Sequence, residues 1–156
     1  MRLPGAASRE YKAAMAQPEP TTPAEFRLEL DVADDDLDEL GHVNNAVYVR
    51  WLQDVAWAHS RAVGFGLPEY TALGGVFVVR RHEIEYLLPA GKGDRVQLIT
   101  HVAWWKGATC ERHTQVRRAS DGALLARART LWAYVSLDGG RPRRIPKPVL
   151  EAFSVA

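Results

Sequence analysis

One cysteine, Cys110, stands in a chain of 156 residues. No internal disulfide framework can staple such a chain, and a reducing compartment is the expected setting. An excess of either charge is lacking too. Twenty basic against 19 acidic residues leave a formal net charge of +1, so nothing marks a partner of one charge sign such as nucleic acid or a membrane surface. No stretch approaches the roughly 18 uninterrupted apolar residues of a membrane span. The opening segment MRLPGAASREYKAAMAQPEPTTP has no continuous apolar core of a secretory signal. A cytoplasmic protein is expected.

Several catalytic devices are also missing. The serines (Ser8, Ser60, Ser120, Ser136, Ser154) lie in no G-x-S-x-G elbow, and there is no Walker loop and no G-x-G-x-x-G. The histidines at 42, 59, 82, 101 and 113 show no H-E-x-x-H or related spacing, so neither a metal nor another cofactor is expected. Cys110 and His113 could be read as nucleophile and base. Three residues apart on a strand, they point to opposite faces. His59 falls on an apolar helix face and reads as a satisfied buried or subunit-facing residue. The five tryptophans read as core or interface.

What is present has a simple order. Residues 1–24, rich in Ala, Pro, Thr and charge, read as a flexible arm with at most a short helix over 9–16; residues 25–156 form the folded domain. Phe26, Leu28, Leu30 and Val32 alternate with Arg27, Glu29 and Asp31, a strand with one buried face. The period then changes: Val47, Tyr48, Trp51, Leu52, Val55 and Ala58 or His59 share a helical face, which Gly64 and Gly66 end. Four strands follow, near 76–89, 95–105, 108–118 and 124–137. In the second, Val96, Leu98, Val102 and Trp104 fall in one register. Tight turns between them predict an antiparallel meander. One helix and one sheet, each with an apolar face, fit best as a sheet wrapped around the helix, an α+β arrangement. The basic tail RPRRIPKPVLEAF reads as a surface strap with solvated Arg141, Arg143 and Arg144, ending in a short helix.

The chemistry concentrates in DELGHVNNAVY, residues 38–48, at the mouth of that helix. Capping explains Asn44 or Asn45, and Asp38 adds charge near the positive helix end. The remaining polar groups are a surplus, and Gly41 marks backbone that bends or admits close approach. A helix start offers free N–H groups as an oxyanion site, and a preceding carboxylate can act as nucleophile or general base. With no metal and no nucleophile triad, the substrate needs a good leaving group. A thiol of pKa about 8.5 leaves more easily than an alkoxide or amine, which points to a thioester. Each well-placed oxyanion donor contributes roughly 3–4 kcal/mol.

The run from Asp36 to Asn45, D-L-D-E-L-G-H-V-N-N, with Tyr48 and Trp51 after it, resembles the signature of hotdog-fold thioesterases. The 4-hydroxybenzoyl-CoA and acyl-CoA thioesterases are the nearest group, and HVNN is also similar to plant acyl-ACP thioesterases. The resemblance covers about residues 25–150. It implies a hotdog fold, an antiparallel sheet wrapped around one long central helix, and homodimers or homotetramers with sites between protomers. It places Asp38 at the catalytic aspartate, Asn45 at the helix-start position whose N–H polarises the thioester carbonyl, and His42 at the plant-type histidine. Gly41, Asn44 and Tyr48 become substrate-binding positions. Leu40 departs from the plant pattern, which has asparagine there, so the plant mechanism does not transfer whole.

The expected activity is hydrolysis of an acyl-CoA or acyl-ACP thioester. A non-catalytic hotdog module that binds acyl thioesters is the alternative, against which Asp38 argues. A dehydratase would need an Asp/His pair on the helix itself, and none is found. Acyl length would follow pocket depth, set by residues such as Trp51, Phe65 and Leu73.

Overall fold

Residues 25–154 are described by a computed structural model of the chain. The arm expected over residues 1–24, with its short helix over 9–16, lies outside the described residues. Strand β1 (Phe26–Asp31) buries every second side chain partly, as its alternation requires. A single 3-10 turn (Asp34–Asp36) and a loop lead to helix α1 (Asn45–Ala62), whose interior holds neither Gly nor Pro. Its buried stripe is Val47, Tyr48, Trp51, Leu52, Val55, Ala56, His59 and Ser60, the one-sided spacing of a helix laid on a core. Past its end Gly64 takes φ +96°, which a side chain would disfavour. The connection after Gly66 is a short helix, α2 (Leu67–Leu73).

Strands β2 (Gly75–Tyr86), β3 (Arg95–Lys106), β4 (Thr109–Arg118) and β5 (Leu124–Ser136) complete one sheet in the order β1-β3-β4-β5-β2. Every adjacent pair is antiparallel. The fold is a hotdog: the five strands curl around α1. Only β3, β4 and β5 form the predicted meander. β2 crosses to the far edge beside β5 rather than pairing with β3. Residues 87–94, which look like a hairpin turn, span at most about 28 Å when extended. In a curled sheet that is enough to bridge its open end. Leu87 and Leu88 donate their N–H groups to the Leu125 carbonyl, and Arg118 donates to the Pro89 carbonyl.

Register slips sharpen the curl. The pairing of β3 with β4 skips one residue between Val102 and Trp104, and that of β2 with β5 skips one between Val79 and Arg81. An extra residue in one strand bends it and reverses the facing of the residues beyond it. Trp104 is therefore exposed, against its predicted register, while Trp105 turns inward onto Phe153 and Phe77.

Two apolar clusters fill the space between helix and sheet. Near the helix start, Val43, Tyr48, Trp51 and Val55 pack on Val96, Leu98, Val116 and Leu125. Near its end, Ala56 and Tyr70 meet Cys110, Trp132, Tyr134, Ile145, Val149 and Phe153. Helix α3 (Lys147–Ser154) thus ends the tail strap by plugging the sheet, not by lying on its surface. Arg143 is exposed as predicted but also holds the Gly74 carbonyl at 3.1 Å.

Candidate active site

The loop before α1 is built around two aspartates with different tasks. Asp36 is buried, 4% exposed. Its Oδ2 accepts the Ala33 N–H at 3.1 Å, its Oδ1 accepts Arg50 Nη2 at 2.6 Å, and its carbonyl accepts the Asn44 N–H at 2.8 Å. One residue, through its side chain and its carbonyl, thereby fixes both ends of the loop and ties it to the second turn of α1. The sequence offers this residue only as part of the signature, because nothing in a run of three aspartates says which turns inward.

Asp38 is exposed. Its Oδ1 accepts two backbone N–H groups, from Leu40 at 2.9 Å and His42 at 3.1 Å. The loop closes further through Asp38 N–H to the His42 carbonyl at 2.7 Å and Gly41 N–H to the Asp38 carbonyl at 3.0 Å. Among the described residues Oδ2 has no partner, so one carboxylate oxygen holds the loop and the other remains available. Gly41 makes this turn at φ +74°, a conformation costly for any residue with a side chain. Its carbonyl also sits where a Cβ on Gly91 would approach to 3.3 Å. The 87–94 connection lies against this loop, with His42 bridging Gly91 and the Val43 N–H donating to the Ala90 carbonyl at 2.8 Å. In the sequence that connection looks like a plain turn, and nothing in it signals a place beside the site.

The helix start can be accounted for donor by donor. Asn44 is the cap: its Oδ1 accepts the Ala46 N–H at 3.0 Å and its carbonyl accepts the Val47 N–H at 2.9 Å. The Asn45 N–H has no acceptor among the described residues, while the Asn45 carbonyl accepts the Tyr86 hydroxyl at 3.0 Å. Capping therefore uses Asn44 and leaves one outward donor at Asn45, where the aligned peptide dipoles concentrate positive potential. Asp38, Gly41, His42, Asn44 and Asn45 are brought together at this end of α1. Tyr48 is not on the same surface. It is 3% exposed, wedged edge-on between Trp51 and Tyr86 with its hydroxyl at the Ala90 backbone, and burial pushes its phenol up to about 12. Trp51 is likewise core, at 2%.

The other sequence candidates sit elsewhere. Cys110 faces the second cluster, and burial raises its thiol to about 12, which suppresses the thiolate. His113 lies on the opposite face, bonded to Glu111 at 2.8 Å. His59 is buried, as its helix position predicted. No group of three or more His, Cys, Asp or Glu among the described residues is placed to hold a metal ion. Nor is any of their helices long and apolar enough to cross a membrane.

A family model described as the thioesterase-like superfamily matches residues 32–153. The acyl-CoA thioester hydrolase YbgC of Escherichia coli O6:H1 is 28% identical over 128 residues, covering 82% of this chain and 95% of that protein. The chloroplastic acyl-acyl carrier protein thioesterase ATL2 of Arabidopsis thaliana is 32% identical over 76 residues, 49% of this chain, and the match spans only 40% of ATL2. Among solved structures, a Thermus thermophilus thioesterase complexed with coenzyme A superposes with a TM-score of 0.69 at 28% identity, covering 81% of this chain and 90% of that one.

Proposed function

Because the chain belongs to the thioesterase-like superfamily, we propose that it hydrolyses an acyl-CoA to the free acid and thiol at the N-terminus of α1. The observation that carries this reading is the Asn45 N–H, a helix-start donor without an acceptor among the described residues, beside a carboxylate with one oxygen unengaged by them. The Asn45 N–H receives the developing oxyanion, where a preorganised donor acts far more strongly than in water. Asp38 Oδ2 attacks the carbonyl carbon or takes the proton of the attacking water. His42, whose backbone N–H bonds Asp38, orients the carboxylate. Gly41 and Asn44 line the rim against the thioester, and Tyr48 supports the helix start from beneath.

Coenzyme A is favoured over acyl carrier protein as the thiol carrier. YbgC, matched over nearly its whole length, carries acyl-CoA in its name, and the Thermus thioesterase was solved with coenzyme A. A homodimer or homotetramer belongs to the same reading, since Asp38, Asn44 and Asn45 are exposed in a single chain. A cytoplasmic setting agrees with a free, buried Cys110.

A non-catalytic acyl-thioester binder has one observation in its favour: Asp38 Oδ1 already has a structural task in the loop. The two readings separate in Asp38→Asn, which keeps a side-chain oxygen for both backbone donors but removes the charge. Thiol release from a panel of acyl-CoAs by wild type, falling at least 100-fold in this variant with its melting temperature preserved, supports hydrolysis. Wild-type-like turnover in the variant refutes the role of Asp38, and saturable binding without thiol release establishes the binder.

A further inference from the structure

Arg112 lies in β4 on the side of the sheet that faces α1, and is more than nine-tenths buried. Its Nη1 reaches His59 Nδ1 at 2.9 Å and Thr100 Oγ1 at 3.3 Å, and the Phe153 ring stands 5.9 Å from the guanidinium carbon. No carboxylate pairs with it among the described residues, and neither Nε nor Nη2 has an acceptor there. An unpaired buried charge is among the costliest arrangements in a protein interior. Burial lowers this guanidinium only to about 10, so it is a cation at neutral pH.

Arg112 borders a cavity of about 40 Å³ walled by Trp57, Tyr70, Phe77, Trp105 and Trp132. One water needs about 10–15 Å³ of such space, so the cavity takes a few waters or one small organic group. Its polar lining is one-sided. Ser60 and Tyr70 satisfy each other at 2.8 Å, and Ser60 reaches the Phe65 carbonyl at 2.7 Å. Both hydroxyl hydrogens are thereby used, and the free donors left in the lining, among the described residues, are Nε and Nη2 of the guanidinium. A cationic donor edge in an aromatic wall selects an anion with an apolar body.

This cavity is separate from the helix-start site. The lining residues Ala56 and Ser60 lie about 16–22 Å along the α1 axis from Asn45. Trp51, 2% exposed, and Val55, fully buried, fill the core between them. We infer that the cavity is a second ligand site that binds a small organic carboxylate, of two to four carbons, through Arg112. The carboxylate oxygens face the unengaged guanidinium edge in a charge-assisted pair, and the hydrocarbon tail lies against Trp57, Phe77 and Trp105. The inference does not depend on the thioesterase reading.

The test is a titration of the full chain with acetate, propionate and butyrate, and with the uncharged amides of the same sizes. Tryptophan fluorescence serves as the signal, since Trp57, Trp105 and Trp132 form the wall. A saturable change with at least one carboxylate is expected, at least tenfold weaker with the matching amide. It should vanish in Arg112→Met. Ala56→Leu, which fills the cavity and leaves Arg112 in place, should abolish it as well and guards against a folding defect in the first variant. An absent response in wild type overturns the proposal. So does an equal response to the amides or to chloride, or one that survives Ala56→Leu.

Discussion

Arg112 donates to His59 inside the core, Nη1 to Nδ1 at 2.9 Å. A guanidinium has only donors, so Nδ1 is the acceptor and the imidazole proton sits on Nε2, which has no partner among the described residues. Phe26 stacks on this ring at 5.1 Å and Phe153 meets it edge-on at 4.9 Å. Burial, then the neighbouring Arg112 and His101, lower the imidazole from 6.5 to about 4. The folded chain thus binds fewer protons than the unfolded chain between those values. Stability falls as pH drops from 6.5 toward 4. His59→Gln, which keeps an acceptor for Arg112, should flatten that slope in denaturant titrations at stepped pH. An unchanged slope refutes the assignment.

Glu111 supplies a second acid-sensitive step in a lower window. On the outer sheet face its carboxylate takes both Arg129 donors, at 3.0 and 3.2 Å, and His113 at 2.8 Å. These partners cover it to 4% side-chain exposure. The Arg129 bonds first, then His113, hold its carboxyl down from 4.5 to about 2. The stabilisation is complete above 4.5 and disappears as pH falls toward 2. Glu111→Gln should melt below wild type at pH 7, and the gap should close near pH 2. A gap independent of pH would show that packing, not charge, is the cause.

Asn45→Pro isolates the proposed oxyanion donor. Proline is favoured at the first helical position because its missing N–H has no helical partner there. It also demands extended backbone before it, and Asn44 is already at φ −60°, ψ 137°. The helix should therefore survive, with a melting temperature within a few degrees of wild type. Loss of one oxyanion donor should lower kcat by about 100- to 1,000-fold. Thiol-release kinetics with circular dichroism decide it, and full activity in a folded variant refutes the Asn45 role.

Asp36→Ala should act on the same chemistry from a distance. It strips the Ala33 and Arg50 contacts from a buried position, while Arg50 itself is largely solvated. A loss of about 1–2 kcal/mol is expected, most of it from the buried hydrogen bonds rather than the exposed half of the ion pair. With the loop loosened, kcat should fall more than KM rises. Arg50→Ala should reproduce only a small part of either effect.

Much of this molecule is legible in its residues. The period change after Val32 locates strand and helix, and the surplus of polar groups at 38–45 locates the candidate site, because each follows from local chemistry. The features that stay hidden depend on distant contacts. Trp104 and Trp105 exchange roles through one skipped pair in β3, and a side-chain alternation cannot reveal where it slips. The short 87–94 segment reads as a hairpin because sequence does not report sheet curvature. Arg112 reads as one more polar residue in an alternating strand. Its lack of a carboxylate partner among the described residues is a property of three elements meeting, not of its neighbours in the chain.

The His42–Gly91 bridge has a consequence for the order of assembly. It joins the Asp38 loop to a segment that exists in its place only after β2 has crossed to β5 and β3 has met β1. These pairings are far apart in sequence and close late, since loop closure must precede the contacts that compensate it. The Asp38 loop is then among the last parts to mature. Recovery of turnover during refolding should lag the return of helical signal, so that activity reports on completed topology rather than on secondary structure.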